Sequence, residues 1–141
     1  MRLVFQGHTR SQTTPVPAAN LSRNCQGRHG NTGCFVHNGS WTENNGVLTV
    51  RFQPTIYLNS ALTGSARSDA LRHEQRHYQD FRRRATQLQS ALTASIRGRR
   101  DPQMNARWTW FLYDICTDSA SFHRSIGATV EICMTPSISR P

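Results

Sequence analysis

Short runs of β-branched and aromatic residues between positions 34 and 62 are followed by two stretches with apolar residues at every third or fourth position. This order predicts an α+β fold, a small antiparallel sheet packed on two long helices. A chain of 141 residues matches one domain with one hydrophobic core. Three segments are expected: an extended N-terminal arm over 1–33, the folded domain over 34–135, and a tail over 136–141.

Residues 1–33 are rich in Gly, Pro, Ser, Thr, Asn and Gln. Thr14-Pro15-Val16-Pro17 and Gly27-Arg28-His29-Gly30 interrupt regular structure, so an arm or loop is expected there. Four strand-like runs follow: Cys34-Phe35-Val36-His37, Ser40-Trp41-Thr42, Val47-Leu48-Thr49-Val50-Arg51-Phe52 and Thr55-Ile56-Tyr57-Leu58. Asn38-Gly39 and Asn45-Gly46 separate the first three. Asn-Gly between such runs is the strongest local hairpin signal, because both residues tolerate positive φ. Pro54 lacks an N–H and belongs at a sheet edge or bulge.

From Ser68, a residue able to cap, the period becomes helical. Leu71, Glu74, Tyr78, Phe81, Ala85, Leu88, Leu92 and Ile96 share one face, and Arg97-Gly98-Arg99-Arg100 ends the run, which predicts a helix over 69–97. Asp101 and Pro102 form an N-cap and N1 pair. Met104, Trp108, Phe111, Leu112, Ile115, Phe122 and Ile126 then predict a second helix over 102–125. Ala128-Thr129-Val130-Glu131-Ile132-Cys133 has the composition of a last short strand, and residues 136–141 are expected to fray.

No apolar run is long enough to span a membrane. The formal charge is +9 and every basic residue is an arginine, seventeen in all, so the chain is attracted to polyanions. No apolar leader of the Sec type is visible at the N-terminus. Cys25, Cys34, Cys116 and Cys133 allow three pairings, of which the neighbour pairing closes the shortest loops. Disulfides would place the chain in an oxidising compartment, secreted or periplasmic, whereas four buried thiols would suit the cytosol.

The residues that carry chemistry are His73-Glu74-Gln75-Arg76-His77. On a helix, positions four apart are separated by about 40° and about 6 Å, so His73 and His77 present two imidazoles to one metal ion. Glu74 stays on the same half of the helix, where its carboxylate can take a proton from a water activated by the metal. Neutral imidazoles suit zinc, and one Zn2+ with an open position suits catalysis of hydrolysis. Given the abundance of His and Glu here, chance alone would place such a string in the chain about 0.005 times.

With its Thr55–Leu58 strand ahead of an HExxH helix, the stretch 47–97 resembles the zincin zinc metallopeptidases. Leu71-Arg72-His73-Glu74-Gln75-Arg76-His77-Tyr78-Gln79-Asp80-Phe81 is also similar to small uncharacterised bacterial secreted zinc-dependent proteases carrying an HEQ-x-H signature. The resemblance implies a zincin-like fold, an edge strand at Thr55–Leu58 that aligns substrate by β-addition, and Glu74 as general base for cleavage of a peptide or amide bond. The third metal ligand stays open. The gluzincin pattern points to a carboxylate on the following helix, and Asp114 and Asp118 have its i, i+4 form, with the shorter Asp in place of Glu. Asp80 lies about 20° from His73 around the helix and can ligate or orient His77. His123 is a further ligand candidate, or with Tyr113 and Tyr57 a donor to the transition-state oxyanion.

Two readings follow. In the first, the chain is a monomeric metallopeptidase acting on a protein or a peptidoglycan peptide. In the second, it is a basic module for nucleic acid or another polyanion, with at most a structural metal. The second should weaken steeply with salt and should not need Glu74. Arg82-Arg83-Arg84 points in three directions around a helix, which favours a solvated face over a nucleic-acid groove. Trp108 and Trp110 cannot share one face, so one is expected in the core. His8, His29 and His37 have no partner spacing and are given no role.

Overall fold

A computed structural model describes residues 1–27 and 30–141, so Arg28 and His29 lie outside the described residues. Among the described residues the fold is α+β, with two three-stranded sheets and three helices. One sheet has the order β1 (Arg2–Gln6), β5 (Val47–Arg51), β4 (Ser40–Asn44). The other has the order β2 (Gln12–Val16), β6 (Thr55–Asn59), β3 (Gly33–Val36).

This corrects the expectation of a single antiparallel sheet. Both β1 and β2 come from the segment expected to be an irregular arm. Arg2–Gln6 contains Leu3-Val4-Phe5, and β2 lies parallel to β6 with Gln12 opposite Thr55 and Val16 opposite Asn59. A parallel pairing joins residues far apart in the chain, which no local pattern reveals. Pro15 is tolerated because β2 is an edge strand.

Asn45 and Gly46 both have positive φ and form the two-residue link of a β4–β5 hairpin, as their pairing signal predicts. Asn38-Gly39 does something else. It carries the chain from β3 in one sheet to β4 in the other, with the Gly39 N–H donating to His37 Nδ1 at 2.9 Å. A side chain at position 39 would collide with the Phe52 ring, so glycine serves close packing there. Pro54 lies between β5 and β6 rather than in a strand, and its carbonyl accepts from the Gln12 N–H at 3.0 Å.

The described residues fall into two compact units. The first comprises Phe5–Thr42 and Thr49–Gln79, with β6 at its centre. Strand alternation sends Tyr57 to one side, against Val16, Leu21 and the Cys25–Cys34 disulfide. Ile56 and Leu58 go to the other side, against Ala70 and Leu71 at the start of α2 (Gly64–Arg97). Leu21 opens the short helix α1 (Leu21–Asn24). Both neighbours of β6 are taken, by β2 and by β3, so β6 is not the substrate-aligning edge strand that the resemblance implied. Helix α2 begins five residues earlier than expected. Ser68 does not cap it but lies inside, its hydroxyl donating to the Gly64 carbonyl at 3.3 Å, because nothing between Gly64 and Ser68 breaks a helix.

The second unit comprises Met1–Val4, Glu43–Leu48 and Asp80–Pro141. Here the second half of α2 and α3 (Met104–Ser125) form an antiparallel pair, tied by Ser95 to Arg107, Phe81 to Phe111 and Arg84 to Asp118. Asp101 caps a turn ahead of α3, accepting from the Gln103 N–H at 2.9 Å, so the helix starts after Pro102 rather than on it. Residues 128–133 form no strand; the Cys116–Cys133 disulfide holds them to α3. The end of the chain is docked rather than frayed. Arg140 stacks over Trp110 at 4.1 Å and the Trp110 indole donates to the Ile138 carbonyl at 2.9 Å. Neither Trp108 nor Trp110 is fully buried.

Candidate metal centre

Along α2 the buried positions Ala70, Glu74, Phe81, Ala85, Leu88 and Leu92 trace one stripe, and Glu74 is its one charged member. Packing of Ala70 and Leu71 beside β6 fixes the first turns of the helix. Tyr78 anchors the next turn, its hydroxyl donating to the His8 carbonyl at 3.2 Å and its ring lying 5.9 Å from that of Phe35. His73 and His77 are held between these anchors, half-buried, with their Nε2 atoms 3.1 Å apart.

The Glu74 carboxyl is 5% exposed as a residue, and its Oε1 lies 3.9 Å from His73 Nε2. Burial raises its pKa from 4.5 to about 7, since a carboxylate removed from water favours its protonated form. A carboxyl poised there can both accept and return a proton near neutral pH.

His123 joins the two helical histidines. His73, His77 and His123 each offer a ring nitrogen, and these nitrogens lie within 4.8 Å of one another, so the group can hold a metal ion. Zinc–nitrogen bonds of about 2.0–2.1 Å in a tetrahedral site put two ligand atoms roughly 3.4 Å apart, so the spacing is close to that of a shared cation. Three imidazoles suit zinc and leave a fourth position for water or substrate.

His123 is itself supported. Its Nδ1 lies 3.1 Å from Glu131 Oε1, and Glu131 Oε2 accepts from the Ser119 hydroxyl at 2.6 Å. Burial acts to raise the Glu131 pKa, but the Ser119 hydrogen bond, its own backbone N–H and His123 together outweigh burial and hold it below the ordinary glutamate value.

The carboxylates weighed from sequence as third ligands are turned toward arginines. Asp118 accepts from Arg84 Nε and Nη2, both at 2.8 Å, and from Arg83 at 3.2 Å. Asp114 accepts two bonds from Arg140, at 2.8 and 2.9 Å, and Asp80 lies 3.6 Å from Arg83. Tyr57 packs in the β6 core and the Tyr113 ring lies 5.4 Å from that of Trp110. His37 is kept neutral by burial, which lowers its pKa to about 4. Glu131 was missed by sequence reasoning. The neighbour pairing of Cys116 with Cys133 was the signal that could have found it, since that bridge returns residue 131 to the helix carrying Ser119 and His123.

No protein-family model, curated protein or solved structure matches this chain.

Proposed function

We propose that the chain is a zinc-dependent hydrolase of the metallopeptidase type, with His73, His77 and His123 holding one ion and Glu74 as the general base. The observation that carries this reading is the group of three imidazole nitrogens directly beside a buried glutamate. Zinc, when bound, supplies Lewis acidity that lowers the pKa of water and polarises a carbonyl. The chain supplies the rest. Glu74 takes a proton at its carboxylate and returns it to the leaving amine, while its burial keeps the carboxyl out of bulk water. Two disulfides fit an oxidising, extracellular or periplasmic setting, where a protein or a peptidoglycan peptide is the substrate.

Glu74→Gln separates the two roles. The variant should retain zinc by elemental analysis and lose turnover of a fluorogenic peptide mixture by roughly 10²–10⁴-fold. His77→Ala should lose the zinc as well. Undiminished turnover in Glu74→Gln, on a substrate cut by the unaltered protein, would overturn the reading.

A further inference from the structure

We infer that Glu131 is a positioning residue for His123, and that the Cys116–Cys133 disulfide, by holding Glu131 in place, makes the metal affinity of the site depend on thiol oxidation state. The inference rests on the proposed reading of His123 as a ligand.

Three residues on one face of α3 carry the argument. Cys116, Ser119 and His123 follow at spacings of three and four, so their side chains line up along the helix. Each meets the segment that returns after α3. Cys116 is bonded to Cys133, the Ser119 hydroxyl donates to Glu131 Oε2, and His123 Nδ1 meets Glu131 Oε1. Both carboxylate oxygens are therefore committed. With Nδ1 engaged by the carboxylate as a donor, the ring is fixed in the tautomer that leaves Nε2 as the atom for a cation, and a carboxylate on the far nitrogen raises its basicity.

Glu131 has no strand or helix to hold it. The chain leaves α3 through a turn in which the Ala128 N–H donates to the His123 carbonyl at 2.9 Å, and residues 128–133 run without regular structure. Ile132 and Met134, on either side of Cys133, are 93% and 87% exposed, so neither side chain seats the segment by apolar burial. The bridge two residues after Glu131 is its covalent anchor. This bridge is also the more accessible one, since Cys116 and Cys133 are half-buried whereas Cys25 and Cys34 are buried. A dithiol can open it by thiol–disulfide exchange. Two electrons and two protons pass to the cysteine sulfurs, and the dithiol leaves as its own disulfide.

The test is zinc affinity, measured by competition with a chromophoric chelator on the full chain. Glu131→Gln, which keeps the shape and the bridge, should weaken zinc binding 10–100-fold. The pair Cys116→Ser with Cys133→Ser should weaken it comparably, and combining it with Glu131→Gln should add little, because both changes remove one support. Cys25→Ala with Cys34→Ala should leave affinity unchanged. Wild-type affinity in Glu131→Gln, alongside lost binding in His123→Ala, would overturn the inference while the metal centre stands. Additive effects of Glu131→Gln and the bridge pair would overturn the role given to the disulfide. Should the bridge pair fail to fold, Glu131→Gln still decides the positioning role. A titration of the unaltered protein with a water-soluble phosphine, which reduces the bridge with water as co-reactant and leaves as the phosphine oxide without adding a zinc-chelating thiol, then decides the disulfide's part, zinc affinity falling as Cys116 and Cys133 are reduced if it stands and holding constant if it does not. If both His77→Ala and His123→Ala bound zinc like the unaltered protein, the metal reading itself would fail first.

Discussion

Cys25–Cys34 and Cys116–Cys133 are the same covalent device in two different surroundings. Both have Cα atoms 5.8 Å apart, and they span 9 and 17 positions. Loop-closure entropy alone gives about 2.6 and about 3.1 kcal/mol, so it does not separate them. Their neighbours do. Cys25 and Cys34 are buried among Val16 and Leu21, packed against Tyr57 and Val36, where the sulfurs are part of an apolar core. Cys116–Cys133 is half-buried and joins two segments that also meet through polar bonds, from Ser119 and His123 on α3 to Glu131. The first bridge is part of the apolar core that buries Leu21 of α1. The second places one carboxylate where packing does not.

Substitutions can break that comparison. Leu21→Ala should have the largest effect, because Leu21 is fully buried in the first cluster and its loss leaves a cavity: about 3–5 kcal/mol by urea unfolding, without change in the zinc affinity of the folded protein. Cys25→Ala with Cys34→Ala should cost about 2–3 kcal/mol by the same measurement, again sparing zinc. If either change lowered zinc affinity as much as Glu131→Gln, the division between a structural and a site-building bridge would not hold.

Much of this was legible in the sequence where the signal is local. The 3.6-residue period located α2 and α3, Asn45-Gly46 marked its hairpin, and the four-residue spacing of His73 and His77 put two ring nitrogens side by side. What stayed hidden was set by long-range contacts. Nothing in Gln12–Val16, with Pro15 inside it, announces a parallel partner more than forty residues later. Likewise, Asp114 and Asp118 have ligand-like spacing, but the arginines that engage them, Arg84 and Arg140, come from elsewhere in the chain. Glu131 carries no motif at all. The loop after α3, tied back by the bridge at Cys133 and by the Ser119 hydroxyl, carries it to His123, and spacing within a helix cannot report a contact made by a loop.

The smallest expected effect concerns the charged face of α3 two residues beyond Cys116. Burial acts to raise the Asp118 pKa, but the paired hydrogen bonds from Arg84, with the charges of Arg84 and Arg83, outweigh it and hold the carboxyl below its ordinary value of 3.8. A depressed carboxylate stabilises the fold fully above its unfolded pKa, and that stabilisation is lost as pH falls through the lower folded value. Metal-free protein should therefore lose stability below about pH 3.8 in part through Asp118. Asp118→Asn should lower the neutral-pH stability by about 1 kcal/mol or less, given solvent screening of the pair, and should flatten the acid limb. Urea midpoints from pH 7 down to pH 2.5 check this: the two curves should converge toward the acid end. Parallel curves would mean that Arg84 does not stabilise the charged form, leaving the Cys116–Cys133 bridge and apolar packing to hold this face of α3.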